Sequence, residues 1–172
     1  MTAATLDMAR DRSAFWDFSL HFYALPRVAA ACLELQDRAG VDVNVLFYLL
    51  FVAQHCRQLD RSDVTRIDAA VKAWREQVVQ PLRTVRRELK QGVAPIDTDA
   101  AATLRNDVKR IELEAERIEQ RTLECLVPIA ALGTPASSAA VAARVNLAAY
   151  GEFLGDLPAA QAEILLEVFA AA

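Results

Sequence analysis

The apolar stretch at residues 41–53 limits what this chain can fold into. Eleven of its thirteen residues, VDVNVLFYLLFVA, are apolar, and residues 45–53 have no polar group except the Tyr48 hydroxyl. A helix that is apolar on all sides is stable only when other elements surround it. Nine uninterrupted apolar residues are too few for a membrane span, which takes about 20. The stretch therefore predicts the central helix of a bundle.

The composition favours an all-α fold. Hydrophobic residues make up 54% of the 172 residues, and the chain has only five glycines and six prolines. Helix breakers are thus rare. The sequence contains no alternating apolar–polar pattern, so we expect no sheet. The formal net charge of −4 argues against DNA binding, because DNA-binding proteins carry a basic excess. No linker or repeat is visible, so we expect one domain over residues 1–172 with a frayed tail at 1–12.

Two long amphipathic segments follow the central helix. In the first, apolar residues recur every three or four positions, as on one helix face: Val64, Ile67, Val71, Trp74, Val78, Leu82, Val85 and Leu89. Pro81 predicts a kink or break there, because its ring displaces the bond to the Gln77 carbonyl. The second segment has a similar seam: Leu104, Val108, Ile111, Ala115, Ile118, Thr122 and Cys125. With only a turn at 93–97 between them, the two segments predict a long antiparallel hairpin.

Capping residues set the expected limits of the helices. We expect Ser13 to begin the first helix and Pro26 to begin the second in its first turn. Gly40 suits the end of that second helix, and Asp42 suits the N-cap of the central helix, which should run to about Leu59. Later caps are expected at Ser62 or Asp63, at Asp97 or Thr98, and at Ser137 or Ser138. The sequence thus predicts an all-α, single-domain bundle of about six or seven helices with a central buried apolar helix.

The cysteines and the N-terminal residues predict a location in the cytoplasm. Cys32, Cys56 and Cys125 are far apart in sequence and lie in apolar contexts, so we expect free, buried thiols and neither a disulfide framework nor a zinc site. Residues 1–18 have no apolar core typical of a signal peptide. No metal ligand set, cofactor motif or catalytic motif stands out, which leaves enzymatic activity open and makes it the less favoured interpretation.

Two segments of the chain resemble a known family. They are FWDFSLHFYALPRVAAACLELQDRAGVDVNVLFYLLF at 15–51 and VKAWREQVVQPLRTVRRELK at 71–90. Their FW-x-FSL, CLELQD-x-x-G-x-DVN and PLR-x-x-RR-x-LK patterns are similar to those of small proteobacterial proteins grouped as Domain of Unknown Function 2390. The resemblance implies a bacterial, cytoplasmic, helical protein, and it carries over no catalytic residue.

Five polar or aromatic residues are candidates for binding a small ligand. Such a ligand would lie beside the central helix and be apolar or amphipathic. The candidates are Trp16, Tyr23, Asn44, Tyr48 and His55. The alternative role of the aromatic residues is core packing. Gln36, Asp37, Asp42 and Asn44 also cluster near the Gly40 turn, where they either form a polar site for an anion or simply cap helices, with capping favoured.

A basic cluster is the candidate surface for a macromolecular partner. Arg83, Arg86, Arg87 and Lys90 share one helix face by their spacing. The alternative is a solvated face that is neutralised by acidic residues on the second hairpin helix: Glu112, Glu114, Glu116 and Glu119. The favoured function is a non-enzymatic adaptor that binds a protein partner. The alternative is a bundle that binds a small ligand, and homodimerisation through an apolar helix face is compatible with both.

Overall fold

The computed structural model describes residues 13–92 and 97–172. This part of the chain forms eight α-helices: α1 (Ala14–Ala24), α2 (Val28–Ala39), α3 (Val43–Gln54), α4 (Arg61–Trp74), α5 (Gln80–Gln91), α6 (Thr98–Glu124), α7 (Ala139–Leu154) and α8 (Ala159–Ala171). A π-helical segment, Arg75–Val79, joins α4 to α5 without a break, so the eight helices form seven continuous rods. The all-α bundle is confirmed. The predicted frayed tail at 1–12 and most of the predicted turn at 93–97 lie outside the described residues.

The helix α3 is the centre of the bundle. All of residues 44–53 are buried, and α1, α6 and α7 pack against α3. The Asp42 carboxylate accepts hydrogen bonds from the backbone N–H groups of Asn44 and Val45, which fixes the start of the helix. Gly40 ends α2 in the left-handed region, at φ +64°, as its position at the helix end predicted. The central buried helix, its predicted N-cap at Asp42 and the predicted end of α2 at Gly40 are therefore confirmed.

The C-terminal end of α3 differs from the prediction. The helix stops at Gln54 and does not reach Leu59, because Cys56 turns the chain with a φ of +53°. Arg57 and Gln58 then form a short antiparallel pair with Thr134 and Pro135. Two residues per strand are too few to give an alternating pattern in the sequence, so the expectation of no strand pairing at all was wrong in this detail.

The loop after α3 is held by a buried asparagine. Asn146 on α7 is fully buried, and its side-chain oxygen accepts the Leu59 N–H at 2.7 Å. Its side-chain nitrogen donates to the carbonyls of Leu49 and Arg57. These bonds tie the loop at residues 57–59 to α7 and to the interior of α3, and they satisfy two backbone groups of the loop.

Pro81 neither breaks nor ends the long helix. The π-helical segment lies just before it, and α5 begins at Gln80 with the proline in its first turn. The wider π turn shifts the hydrogen-bonding register where the proline ring displaces the bond to the Gln77 carbonyl. The predicted break is therefore wrong, and a local change of helix type takes its place.

The hairpin of α5 and α6 is confirmed, but its predicted seam is not. Leu104, Ile111 and Ile118 are about half exposed. The residues of α6 that are buried are Ala101, Val108, Glu112, Ala115, Glu119, Gln120 and Leu123. The buried face thus lies beside the apolar seam and includes three polar side chains. Ion pairs and hydrogen bonds to neighbouring helices make this arrangement stable, and apolar periodicity could not predict it.

Other local expectations have mixed outcomes. Ser13, Asp97 and Ser138 cap their helices as predicted. Asp60, rather than Ser62 or Asp63, caps α4 and forms a capping box with Asp63. The second helix begins two residues after Pro26, and Arg27 takes a left-handed conformation before it. The three cysteines are free, but only Cys32 is buried, and burial raises its pKa to about 12.

Candidate functional site

A cleft of about 470 Å³ lies beside the N-terminal half of α3. Its walls come from α1, α2, α3, α5 and α6. Both helices of the hairpin and the first three helices of the chain therefore contribute. The volume falls within the range of about 300–1,000 Å³ that is typical of small-molecule sites. The cleft is therefore large enough for a small organic ligand.

The walls of the cleft expose apolar side chains. Leu20 and Tyr23 on α1, Leu33 on α2 and Leu113 on α6 line it, and each is between 42% and 50% exposed. Trp16 and Phe47 complete the apolar lining. Exposed large apolar residues that converge on one concave surface are a common feature of ligand and partner sites.

One side of the cleft carries charge. Arg83, Arg86 and Arg87 on α5 and Lys109 on α6 line it together with two carboxylates, Glu112 and Glu116. Arg83 bridges these carboxylates, with its Nε 3.1 Å from Glu112 and its Nη2 2.6 Å from Glu116. Arg86 also binds Glu112 through its Nε and Nη2.

The two glutamates respond differently to this environment. Burial acts to raise the pKa of Glu112, but hydrogen bonds from Arg86 and Arg83 outweigh it and lower that pKa. Burial raises the pKa of Glu116 despite the opposing charge of Arg83. Glu112 therefore loses its proton more readily than Glu116 and is the more strongly favoured anionic partner of the arginines.

A buried polar network lies below the cleft. Asn44 and Gln120 line the cleft, and Gln120 Nε2 donates to Asn44 Oδ1 at 2.8 Å. Asn44 Nδ2 donates in turn to Glu119 Oε2 at 3.1 Å. Two buried oxygens at the cleft have no hydrogen-bond partner among the described residues: Ser19 Oγ and Gln120 Oε1. Unpaired buried acceptors of this kind are uncommon in native proteins, and a ligand is one way to satisfy them.

The network continues into a cluster of charges between helices. Arg75 Nη1 lies 2.8 Å from Asp42 Oδ2 and 2.8 Å from Asp68 Oδ1. Burial acts to lower the pKa of Arg75, but its hydrogen bonds to Asp68 and Asp42 raise it. The Tyr150 hydroxyl accepts the Asp42 N–H at 3.1 Å, so α7 also joins this cluster.

Glu119 is the unusual group of this cluster. Burial, the charge of Asp42 and a hydrogen bond with Asp42 raise the pKa of Glu119 to about 9. Oε2 accepts from Asn44, and Oε1 is buried without a hydrogen-bond partner among the described residues, so a charge on this carboxyl would be poorly compensated. Glu119 is therefore a neutral acid at neutral pH, and it links α6 to the start of α3.

Most of the sequence-predicted site residues meet at the cleft. Trp16, Tyr23 and Asn44 from the ligand set line it, and so do Arg83, Arg86 and Arg87 from the basic cluster. From the sequence alone, the two sets are expected on different surfaces. The residues of the polar cluster at the Gly40 turn have different positions. Gln36 lines the cleft, whereas Asp42 caps α3.

Three predicted site residues lie elsewhere. Tyr48 is fully buried behind Phe15, with 5.2 Å between ring centroids, and does not line the cleft. His55 ends α3 with its Nδ1 3.0 Å from the Phe51 carbonyl. Lys90 is exposed near the end of α5 and is not part of the lining.

The comparison with family models decides the family. The model described as Protein of unknown function (DUF2390) matches residues 14–123, which is more than half of the chain. The chain belongs to this family. The match begins at α1 and ends at the last turn of α6, so all the helices that line the cleft lie within the DUF2390 region. Searches of curated proteins and of solved structures found no match.

Sequence reasoning missed several residues of the DUF2390 region that line the cleft. They include Ser19, Leu20, Leu33, Phe47, Lys109, Leu113 and Gln120. A signal for α6 is present: residues 109, 113, 116 and 120 follow one another at spacings of three or four and share one face. In the described ranges 13–92 and 97–172, no group of histidine, cysteine, aspartate or glutamate residues is arranged to hold a metal ion.

Proposed function

We propose that this protein binds a small amphipathic molecule in the cleft between α1, α2, α3, α5 and α6. The observation that carries the proposal is the convergence of half-exposed apolar side chains around one concavity. Leu20, Leu33 and Leu113 belong to three different helices and line the same cleft. Polar groups at its base and rim would orient the bound molecule.

Fluorescence of Trp16 tests this proposal. The chain has two tryptophans, Trp16 in the cleft and Trp74 outside it, so a Trp74→Phe variant leaves one reporter. We expect decanol, added below its solubility limit, to change the Trp16 emission saturably. A change that grows linearly with decanol would contradict a defined site.

A matched pair of variants locates the site. Leu113→Ser removes an apolar wall of the cleft, whereas Leu104→Ser changes an equally exposed leucine on the same helix that does not line it. We expect Leu113→Ser to weaken decanol binding about tenfold, since the contact of one buried leucine is worth about 1.5 kcal/mol or more. Leu104→Ser should bind like the parent protein.

Binding of a macromolecular partner is the second candidate function. Arg87 and Lys90 are exposed, and their spacing of three residues places them on the same side of α5. Against this candidate, Arg83 and Arg86 are largely covered and are paired with Glu112. A partner that is captured by the native protein and lost from an Arg87→Glu, Lys90→Glu variant would support it. If the same proteins bind both forms, the basic cluster is not a partner surface.

Oligomeric state and location remain predictions. Leu104, Ile111 and Ile118 form the exposed apolar face of α6 that a homodimer would cover. Sedimentation equilibrium over a range of protein concentrations measures the oligomeric state directly.

Among the helices of residues 13–92 and 97–172, none has the length and apolar character needed to cross a membrane.

A further inference from the structure

We propose that the molecule bound in the cleft carries an anionic group, a carboxylate or a phosphate, at the end that lies against α5 and α6. This inference rests on the proposed function, because it adds a head-group charge to the amphipathic ligand.

The charge of the lining differs from that of the whole chain. The chain has a formal net charge of −4. The lining of the cleft has four cationic side chains and only two carboxylates. A local positive excess in a concave site with apolar walls attracts anions, because field lines concentrate where the surrounding dielectric is low.

Two of the four cations are available to a ligand. Arg83 and Arg86 are bound to Glu112 and Glu116. Lys109 makes no ion pair or hydrogen bond within the described part of the chain. Arg87 is about half exposed, and its only ion pair among the described residues is a long one to Asp37, at 3.6 Å. Lys109 and Arg87 therefore have unused charge at the cleft.

Much of the apolar lining and most of the cationic lining come from different helices. Trp16, Leu20 and Tyr23 lie on α1, and the arginines lie on α5. Burial raises the pKa of Tyr23, so its hydroxyl stays neutral. This arrangement suits a molecule with an apolar body along α1 and an anionic end at the hairpin. A cationic end would meet the arginines and be repelled.

Calorimetric titration with four compounds of equal chain length tests the inference. The probes are decanol, decanoate, decyl phosphate and decyltrimethylammonium, each below its micelle concentration. We expect decanoate or decyl phosphate to bind about tenfold or more tightly than decanol, as expected for one charge-assisted contact. The comparison of decanoate with decyl phosphate distinguishes the two head groups. Added salt should weaken anion binding and leave decanol binding unchanged.

Charge variants identify the residues that bind the head group. Lys109→Gln and Arg87→Gln should each weaken binding of the preferred anion about tenfold, and they should weaken it clearly more than they weaken decanol binding. Lys90→Gln is the matched control, because it removes the same charge from an exposed residue outside the lining. Thermal unfolding of each variant shows whether it is folded.

The outcomes separate this inference from the proposed function. If decanol and both anions bind equally, or if decyltrimethylammonium binds most tightly, the anionic head group is wrong and the ligand site stands. If Lys109→Gln and Arg87→Gln both match Lys90→Gln, these residues do not hold the head group and the inference is also overturned. If none of the four compounds binds, the proposed function itself fails.

Discussion

Asn44 and Glu119 lie 75 positions apart and are joined by a hydrogen bond of 3.1 Å between Asn44 Nδ2 and Glu119 Oε2. Asn44 also accepts from Gln120 at the base of the cleft. One buried amide thus connects the cleft, the start of the central helix and the hairpin. Because Glu119 keeps its proton here, the connection depends on pH.

Glu119→Gln should make stability less dependent on pH. The pKa of Glu119 is about 9 in the folded protein and 4.5 normally, so between these values the unfolded chain loses the proton that the folded chain keeps. The contribution of Glu119 to stability is therefore complete below about pH 4.5 and declines as the pH rises to about 9. Glutamine mimics the protonated acid at every pH, and its side-chain oxygen can still accept from Asn44.

Urea unfolding at several pH values between 5 and 9 measures this effect. We expect Glu119→Gln to match the parent protein near the acidic end and to be more stable at pH 8. Glu114→Gln is the control, since Glu114 is exposed on the same helix. Parallel stability curves for the parent protein and Glu119→Gln would show that Glu119 is already ionised in the fold.

Arg75→Met should be strongly destabilising. Arg75 is the shared partner of Asp42 and Asp68, and all three side chains are largely buried. Removing the arginine leaves two carboxylates without a counter-charge, which costs about 3–5 kcal/mol when a buried pair is broken. Arg38→Met is the control, because Arg38 and Glu34 form an exposed pair that contributes about 0.5 kcal/mol or less. A similar loss in both variants would mean that the buried cluster adds little.

Gly133→Ala should destabilise the short strand pair. A Cβ at Gly133 would lie 2.1 Å from the Gln58 carbonyl oxygen, so one strand would have to move. We expect a loss of about 1–3 kcal/mol or more, as for an overpacked site. Gly155→Ala is the matched comparison, since Gly155 also has a positive φ but open space around it. Equal losses in thermal unfolding would attribute the effect to backbone strain alone.

The sequence predicted the parts of the fold that depend on local patterns. The central helix was recognisable because its apolar run is continuous. Asp42 marked its start as a capping residue, and Gly40 marked the end of α2 because it adopts a left-handed conformation. The hairpin could be predicted because two neighbouring segments have the apolar periodicity of a helix face. The α6 seam was wrong, because Glu112 and Glu119 are buried by virtue of partners that are far away in sequence.

The candidate site was only partly predictable for the same reason. Trp16, Asn44 and Arg83 were each identified, but nothing in their spacing showed that α1, α3 and α5 meet at one cleft. The neutral state of Glu119 depends on Asp42, and the sequence separates these two residues by 77 positions. Tertiary packing, rather than local pattern, creates both features.

The most direct test of a ligand-binding cleft is to locate a bound amphiphile by nuclear Overhauser effects. The experiment uses isotope-labelled protein and unlabelled decanol, whose lack of charge keeps the result independent of the head-group inference. We expect intermolecular effects from the decanol methylenes to the Trp16 ring and the Leu113 methyl groups, which line the cleft. Effects confined to Leu104 and Ile118 on the other flank of α6, or none at saturation, would contradict the account.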